Sequence, residues 1–220
     1  MAIVSPDIRL SSPSFLGTAI PFAVDTLFPQ SGAPAVEIGC GNGHFLTGLA
    51  ASRPESNFIG IDVRYKRIEK SCFKADRLRL ANVRFMLNDA LEVLDSYFYD
   101  GSILAFYVNF PDPWPKFKHR KFRLNRIRFI QLMVGCLQED GDLWWVCDHY
   151  PQIVDVVGLC REMAAQGYLR NCHEPEGFSV EEPEYPSTLY EWKWRSEGRP
   201  IFYIRFRRTG KPFVTEVSEG

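Results

Sequence analysis

Ala35-Val36-Glu37-Ile38-Gly39-Cys40-Gly41-Asn42-Gly43 carries a short apolar run into a segment, 43–52, with helical periodicity. Glycines at a strand-to-helix turn let backbone N–H groups, and the chain itself, come close to a ligand. Such a turn alone says little, but its spacing says more. Dinucleotide-binding folds space their glycines GxGxxG, which would need glycine at 44, where this chain has His44. The pattern here is GxGxG, with an acidic residue, Glu37, two positions ahead of the first glycine.

Working outward, apolar runs and amphipathic stretches alternate at α/β spacing. Strands are predicted at 35–39, 57–62, 83–88, 102–109, 142–148 and 168–172, with a last strong β signal at 201–207. Helices are predicted at 43–52, 64–81, 90–97, 125–138 and 151–166, and a helix over 14–28, with Ser14 as its cap, enters the domain. Residues 173–187, rich in Pro and Glu, read as a loop. The expected fold is a doubly wound, mainly parallel seven-stranded sheet with helices on both faces. A chain of 220 residues is most simply one domain: 1–33 an N-terminal helix or arm, 34–208 the core, 209–220 a tail.

Composition, at 45% hydrophobic and 24% charged, is that of an ordinary globular protein. The net charge of −1 conceals an asymmetry. From Lys116 to Arg128 there are seven Lys/Arg and no acid, and without them the formal charge is −8. A protein can bind nucleic acid without being basic overall if its charge is focused on one face; the plainer reading is a solvated basic helix start. The six cysteines are scattered, with no CxxC and no Cys/His cluster at zinc spacing. They are expected to be reduced and mostly structural, which suggests cytoplasm. No metal ligand set, signal peptide or membrane span is visible.

Two more carboxylates accompany the glycine turn. Asp62 closes the second strand, where it can accept from both hydroxyls of a ribose; Asp89 closes the third, where it can meet an adenine amino group. Each acid singly would serve as well as a helix N-cap. Three acids at successive strand ends around a glycine loop are harder to obtain by capping alone. The arrangement resembles the S-adenosylmethionine site of Rossmann-like methyltransferases.

A second informative stretch, Asn109 to Arg123 (NFPDPWPKFKHRKFR), follows the apolar run Ile103–Val108. A strand thus ends in a proline-stiffened turn bearing one acid, Asp112, and one indole, Trp114, directly before the basic tract. Ligands of open α/β sheets bind at the carboxyl ends of strands. A reactive pocket there would open onto a surface suited to a polyanion.

Together EIGCGNG, FIGIDVRYKR, NVRFMLNDA, NFPDPWPKFKHRKFRL, Asp148 and Thr188-Leu189-Tyr190-Glu191 resemble the bacterial tRNA (guanine-N7-)-methyltransferase family, from about Pro34 to Arg208. The PDPWPK block is the specific part. The resemblance implies a methyltransferase forming 7-methylguanosine in the tRNA variable loop. It assigns S-adenosylmethionine to Glu37, Gly39, Gly41, Gly43, Asp62, Asp89 and Asp112, substrate to Lys116, Asp148, Thr188 and Glu191, and RNA to Lys118, His119, Arg120, Lys121 and Arg123. Asp112 is the expected catalytic residue, anchoring the guanine; otherwise it only shapes its turn. Asp148 and Glu191 are expected to accept from N1–H and the exocyclic amine, and Lys116 to bind an adjacent phosphate or sugar. Bacterial members need no second subunit, so a monomer or homodimer is implied.

The chain departs from the family at several points. Asp62 stands where Glu is usual, Lys118 where Arg is common and Phe122 where another base is common; Arg9 is the only basic residue before position 53. Trp114 is read either as a stacking platform or as a plug for its loop. Trp144 and Trp145 are expected in the core. Trp192 and Trp194, alternating with Lys193 and Arg195, are read as the apolar face of a strand. Two other functions stay open: methylation of a different RNA, and an RNA-binding relative without catalysis.

Overall fold

The computed structural model describes residues 12–16, 27–112 and 124–214. The chain forms two compact units, Met1–Tyr97 and Phe98–Gly220. Among the described residues the first unit carries three strands and the second four.

The first unit contains β1 (Ala35–Ile38), α1 (His44–Ser52), β2 (Phe58–Asp62), α2 (Tyr65–Arg77), β3 (Val83–Leu87) and α3 (Ala90–Ser96). Its strands run β3-β2-β1, all parallel, with Glu37 opposite Gly60 and Asp62 opposite Leu87. β1 and β2 are buried at every position, the continuous apolar reading expected of parallel strands covered on both faces. Leu46, Phe58, Ile59, Ile61, Ile68, Phe85 and Met86 make the core. The helix expected from residue 14 is not one at its start. Phe15 bridges Phe85 in parallel, and Phe85 N–H donates to the Ser14 carbonyl (2.8 Å), so 14–16 extend along the edge of β3. The Ser14 hydroxyl donates to Asp76 on α2 (2.7 Å) rather than capping a helix. Residues 17–26 of that expected helix lie outside the described residues.

The second unit contains β4 (Ile103–Asn109), α4 (Ile127–Cys136), β5 (Leu137–Cys147), α5 (Tyr150–Ala165), β6 (Leu169–Asn171), α6 (Leu189–Ser196) and β7 (Phe202–Arg208). Its order is β4-β5-β7-β6: β4 and β5 are parallel, whereas β7 runs antiparallel to both β5 and β6. Over the two units the strand pairing is mostly parallel, as expected, with the antiparallel pairings confined to β7. β5 begins at 137 rather than 142, because its register shifts against β4 between Ile103 and Ala105 and Asp140 adopts φ 60° to make the bend. Trp145, Tyr203, Phe206 and Phe106 are the large fully buried side chains here, and Trp144 is buried as expected.

Asp142, on β5, faces Arg207 across the ladder. It accepts from Arg207 (2.7 and 2.9 Å) and from Arg205 (2.8 and 3.2 Å). Burial opposes its ionisation, but the two guanidiniums outweigh it and hold the carboxyl below its usual range. The cysteines are unpaired thiols; burial pushes those of Cys136, Cys147 and Cys160 up to about 12. Among the described residues no helix is long and apolar enough to cross a membrane.

Candidate active site

In the first unit the turn after β1 is built by three glycines, Gly39, Gly41 and Gly43, at φ 73°, 57° and 69°. A side chain at such angles costs roughly 1–2 kcal/mol. The three are not equivalent. Among the described residues, a Cβ on Gly39 would meet nothing within 4 Å, and one on Gly41 only the tip of Arg67 (3.9 Å) and the Gly39 carbonyl. A Cβ on Gly43 would stand 2.8 Å from Ser71 and 3.2 Å from Phe85. The first two glycines therefore leave an open backbone face, while the third packs the loop onto α2 and β3.

Asp62 braces that loop. Its carboxylate accepts from Gly41 N–H (3.0 Å) and Arg64 N–H (2.8 Å), with the Arg67 guanidinium 3.6 Å away. On the other side the Ser71 hydroxyl donates to the Gly41 carbonyl (3.0 Å). Glu37 and Asp62 are both buried, and the negative charge they focus on the loop shows at Cys40. Burial first, then Glu37 and Asp62, push its thiol well above the ordinary value. Asp89 does cap α3, accepting from Leu91 N–H (2.8 Å) and Glu92 N–H (3.4 Å), both at Oδ1. The capping reading holds for Asp89 but not for Asp62, because Arg64 is the N-cap of α2 and Asp62 binds the glycine loop instead.

In the second unit β4 ends at Asn109, whose Oδ1 accepts from Tyr185 Oη (2.6 Å). Phe110 turns the chain at φ 47°, its N–H bonded to the Val146 carbonyl (2.7 Å), and Asp112 follows in an exposed position. Trp114, Lys116, Lys118, His119, Arg120, Lys121 and Arg123 lie outside the described residues. At the end of β5, Asp148 is half-buried and pairs with Arg199 (3.0 Å), while His149 Nδ1 caps α5 through Gln152 N–H (3.3 Å).

The segment after Pro186 departs from expectation. Trp192 and Trp194 lie on the helix α6, not on a strand, and Trp192 is 72% exposed. Thr188 and Glu191 form a reciprocal capping box: Glu191 N–H donates to Thr188 Oγ1 (2.9 Å), and Thr188 N–H to Glu191 Oε2 (3.4 Å). Glu191 Oε1 also accepts from Tyr203 Oη (2.6 Å) and Arg195 Nε (3.0 Å). Burial and then Glu191 raise the Tyr203 phenol to about 12. Arg199, which the sequence reading missed, lies over Trp194 (4.0 Å) while holding Asp148.

The methyltransferase family model Methyltransf_4, described as "Putative methyltransferase", matches residues 32–204. A tRNA (guanine-N(7)-)-methyltransferase of Geobacter metallireducens is 32% identical over 207 residues, 93% of this chain and 97% of the relative. That of Syntrophotalea carbinolica is 34% identical over 204 residues, 91% of this chain and 86% of the relative. The chain belongs to the tRNA (guanine-N7-)-methyltransferase family. Solved structures give the fold. The 16S rRNA methyltransferase KamB superposes with TM-score 0.61 at 13% identity, covering 82% of this chain and 89% of its own. An antibiotic-related methyltransferase gives 0.60 at 14%, covering 86% and 96%. Gly39–Gly43, Glu37, Asp62 and Asp89 all lie in the first unit, within the residues the family model matches.

Proposed function

We propose that this chain transfers the methyl group of S-adenosylmethionine to N7 of a guanine in the variable loop of tRNA, forming 7-methylguanosine, in the cytoplasm and with no obligatory protein subunit. The observation that carries this reading is the nearly end-to-end match to tRNA (guanine-N7-)-methyltransferases, about one third identical over more than nine-tenths of the chain.

The loop fits the cofactor. Gly39 and Gly41 leave room for close backbone approach, and buried Glu37 and Asp62 supply acceptors for amine and ribose hydroxyl groups; Asp89 is assigned the adenine amino group through Oδ2. The bound cofactor supplies an electrophilic methyl group on a sulfonium. Guanine N7 has an in-plane lone pair and no proton, so no side chain must act as a general base. The chain has to hold N7 in line with the methyl carbon, an alignment worth roughly 7–11 kcal/mol of a barrier. Asp112 is assigned to anchor the guanine and to offset the positive charge that moves onto the purine. Asp148 is assigned to the N1–H and exocyclic amine, which excludes adenine. Glu191 has both oxygens engaged, so we give it the task of holding Thr188 against the substrate. Lys116 is assigned a neighbouring phosphate, and Lys118, His119, Arg120, Lys121 and Arg123 the RNA backbone.

Reduction with borohydride and aniline cleavage break RNA at 7-methylguanosine. A tRNA transcript treated with protein and S-adenosylmethionine should be cut at one variable-loop guanine. A cut elsewhere would change the site, and no cut would reject the reaction.

A further inference from the structure

α6 is eight residues long and buries little more than Glu191. At 100° per residue, Leu189, Tyr190, Trp192, Lys193 and Ser196 fall on one arc centred opposite Glu191. All five are exposed, Leu189 by 58%, Tyr190 by 54% and Trp192 by 72%. Large apolar groups clustered on the solvent face of a short helix mark a surface for a partner. The arc carries one cation, Lys193, and no carboxylate. Glu191 lies on the opposite side, matched by Arg195 (3.0 Å), and Glu197, beyond the helix, is matched by Arg199 (3.4 Å). Lys193 Nζ stands 4.3 Å from the Trp194 ring centre and the Arg199 guanidinium 4.0 Å from it, so cations flank this indole.

The arc adjoins the β4 corner. The Tyr190 ring centre is 6.0 Å from that of Phe110, the residue following Asn109 and two before Asp112.

We infer that the outer face of α6, chiefly Trp192 with Lys193 and Tyr190, is a platform that holds unpaired RNA next to the target guanine, a base stacking on the Trp192 indole and a phosphate meeting Lys193. This rests on the tRNA reading above. A second copy of the chain is the poorer occupant. A helix of eight residues, about 12 Å long and about 10 Å across, presents a footprint of roughly 120 Å², far short of the roughly 800 Å² per partner that a stable dimer buries. An aromatic face without acids, with a cation beside it, suits nucleobases and phosphates.

Binding of fluorescent tRNA transcript by the full chain tests the platform. Trp192→Ala should weaken the Kd roughly tenfold or more, by the usual worth of one base–aromatic stack, and Trp192→Phe should recover most of it. Lys193→Ala should lower the log–log salt slope by about 0.7–0.9. Affinity for adenosylhomocysteine should not move in any of the three. Wild-type tRNA affinity in Trp192→Ala would overturn the inference. So would a dimer that dissociates in that variant while tRNA binding is kept, since the face would then join two copies. If the variants lose tRNA affinity but the wild-type chain makes no 7-methylguanosine, the platform stands and the enzymatic reading falls.

Discussion

Replacing Asp62 by Asn separates bracing of the glycine loop from binding of the cofactor. The buried carboxylate accepts two backbone N–H groups, from Gly41 at 3.0 Å and Arg64 at 2.8 Å. Asn keeps the shape but has one oxygen, so its NH₂ must face one of those two donors. One hydrogen bond to a charged group is lost, worth about 1.5–3 kcal/mol. For a chain of this size that lowers the Tm by about 3–12 °C. Adenosylhomocysteine gives the second readout. At 100 times its Kd a ligand stabilises by about 2.7 kcal/mol, which is about 5–11 °C here. If loss of the charged acceptor weakens binding roughly tenfold, the same concentration stabilises the variant by only about 1.4 kcal/mol. Differential scanning fluorimetry with and without ligand reads both effects. A variant as stable as wild type would refute the bracing role. A destabilised variant with the full ligand shift would refute the ligand role and leave Asp62 a structural acid.

Gly39→Ala and Gly43→Ala should part company. Both residues sit at positive φ, but only Gly43 also places a Cβ 2.8 Å from Ser71, so by chemical denaturation it should lose more than about 2 kcal/mol and Gly39→Ala nearer 1, while Gly39→Ala loses cofactor affinity in calorimetry. Glu191→Gln removes the charged acceptor shared by Arg195 and Tyr203 and should cost about 2–3 kcal/mol, with KM for tRNA rising because Thr188 is less firmly held. Stability should fall as pH rises from about 10 to the Tyr203 value of about 12, because the unfolded phenol ionises first. At the acid end the depressed Asp142 carboxyl contributes stability above its ordinary pKa, lost as pH falls below about 4. Asp142→Asn should therefore flatten that acid limb and cost about 3 kcal/mol at neutral pH, measured by urea unfolding across pH.

β1, β2 and β4 were legible because buried parallel strands read as near-continuous apolar runs, and Gly39–Gly43 because three glycines in five residues have few other uses. Strand direction was not. The alternation in Phe202–Arg208 is the same whichever way the strand runs, and only pairing with β5 places Arg205 and Arg207 on Asp142. α6 was misread for want of length: Trp192-Lys193-Trp194-Arg195 alternates for four residues, which mimics a strand. The corrective signal was present in Thr188-Leu189-Tyr190-Glu191, the spacing of a capping box. The hydroxyl of Ser71 under the Gly41 carbonyl and the Arg199 bridge from Trp194 to Asp148 join residues 30 and 51 positions apart, and no local pattern announces such contacts.

Methyl transfer itself is the decisive measurement. Purified protein, unmodified tRNA and S-adenosylmethionine bearing a deuterated methyl group should place the heavy label in 7-methylguanosine on nucleoside mass spectrometry, and the Asp112→Ala variant, still folded, should place none. Label in any other nucleoside, no label at all, or full labelling by Asp112→Ala would contradict the account.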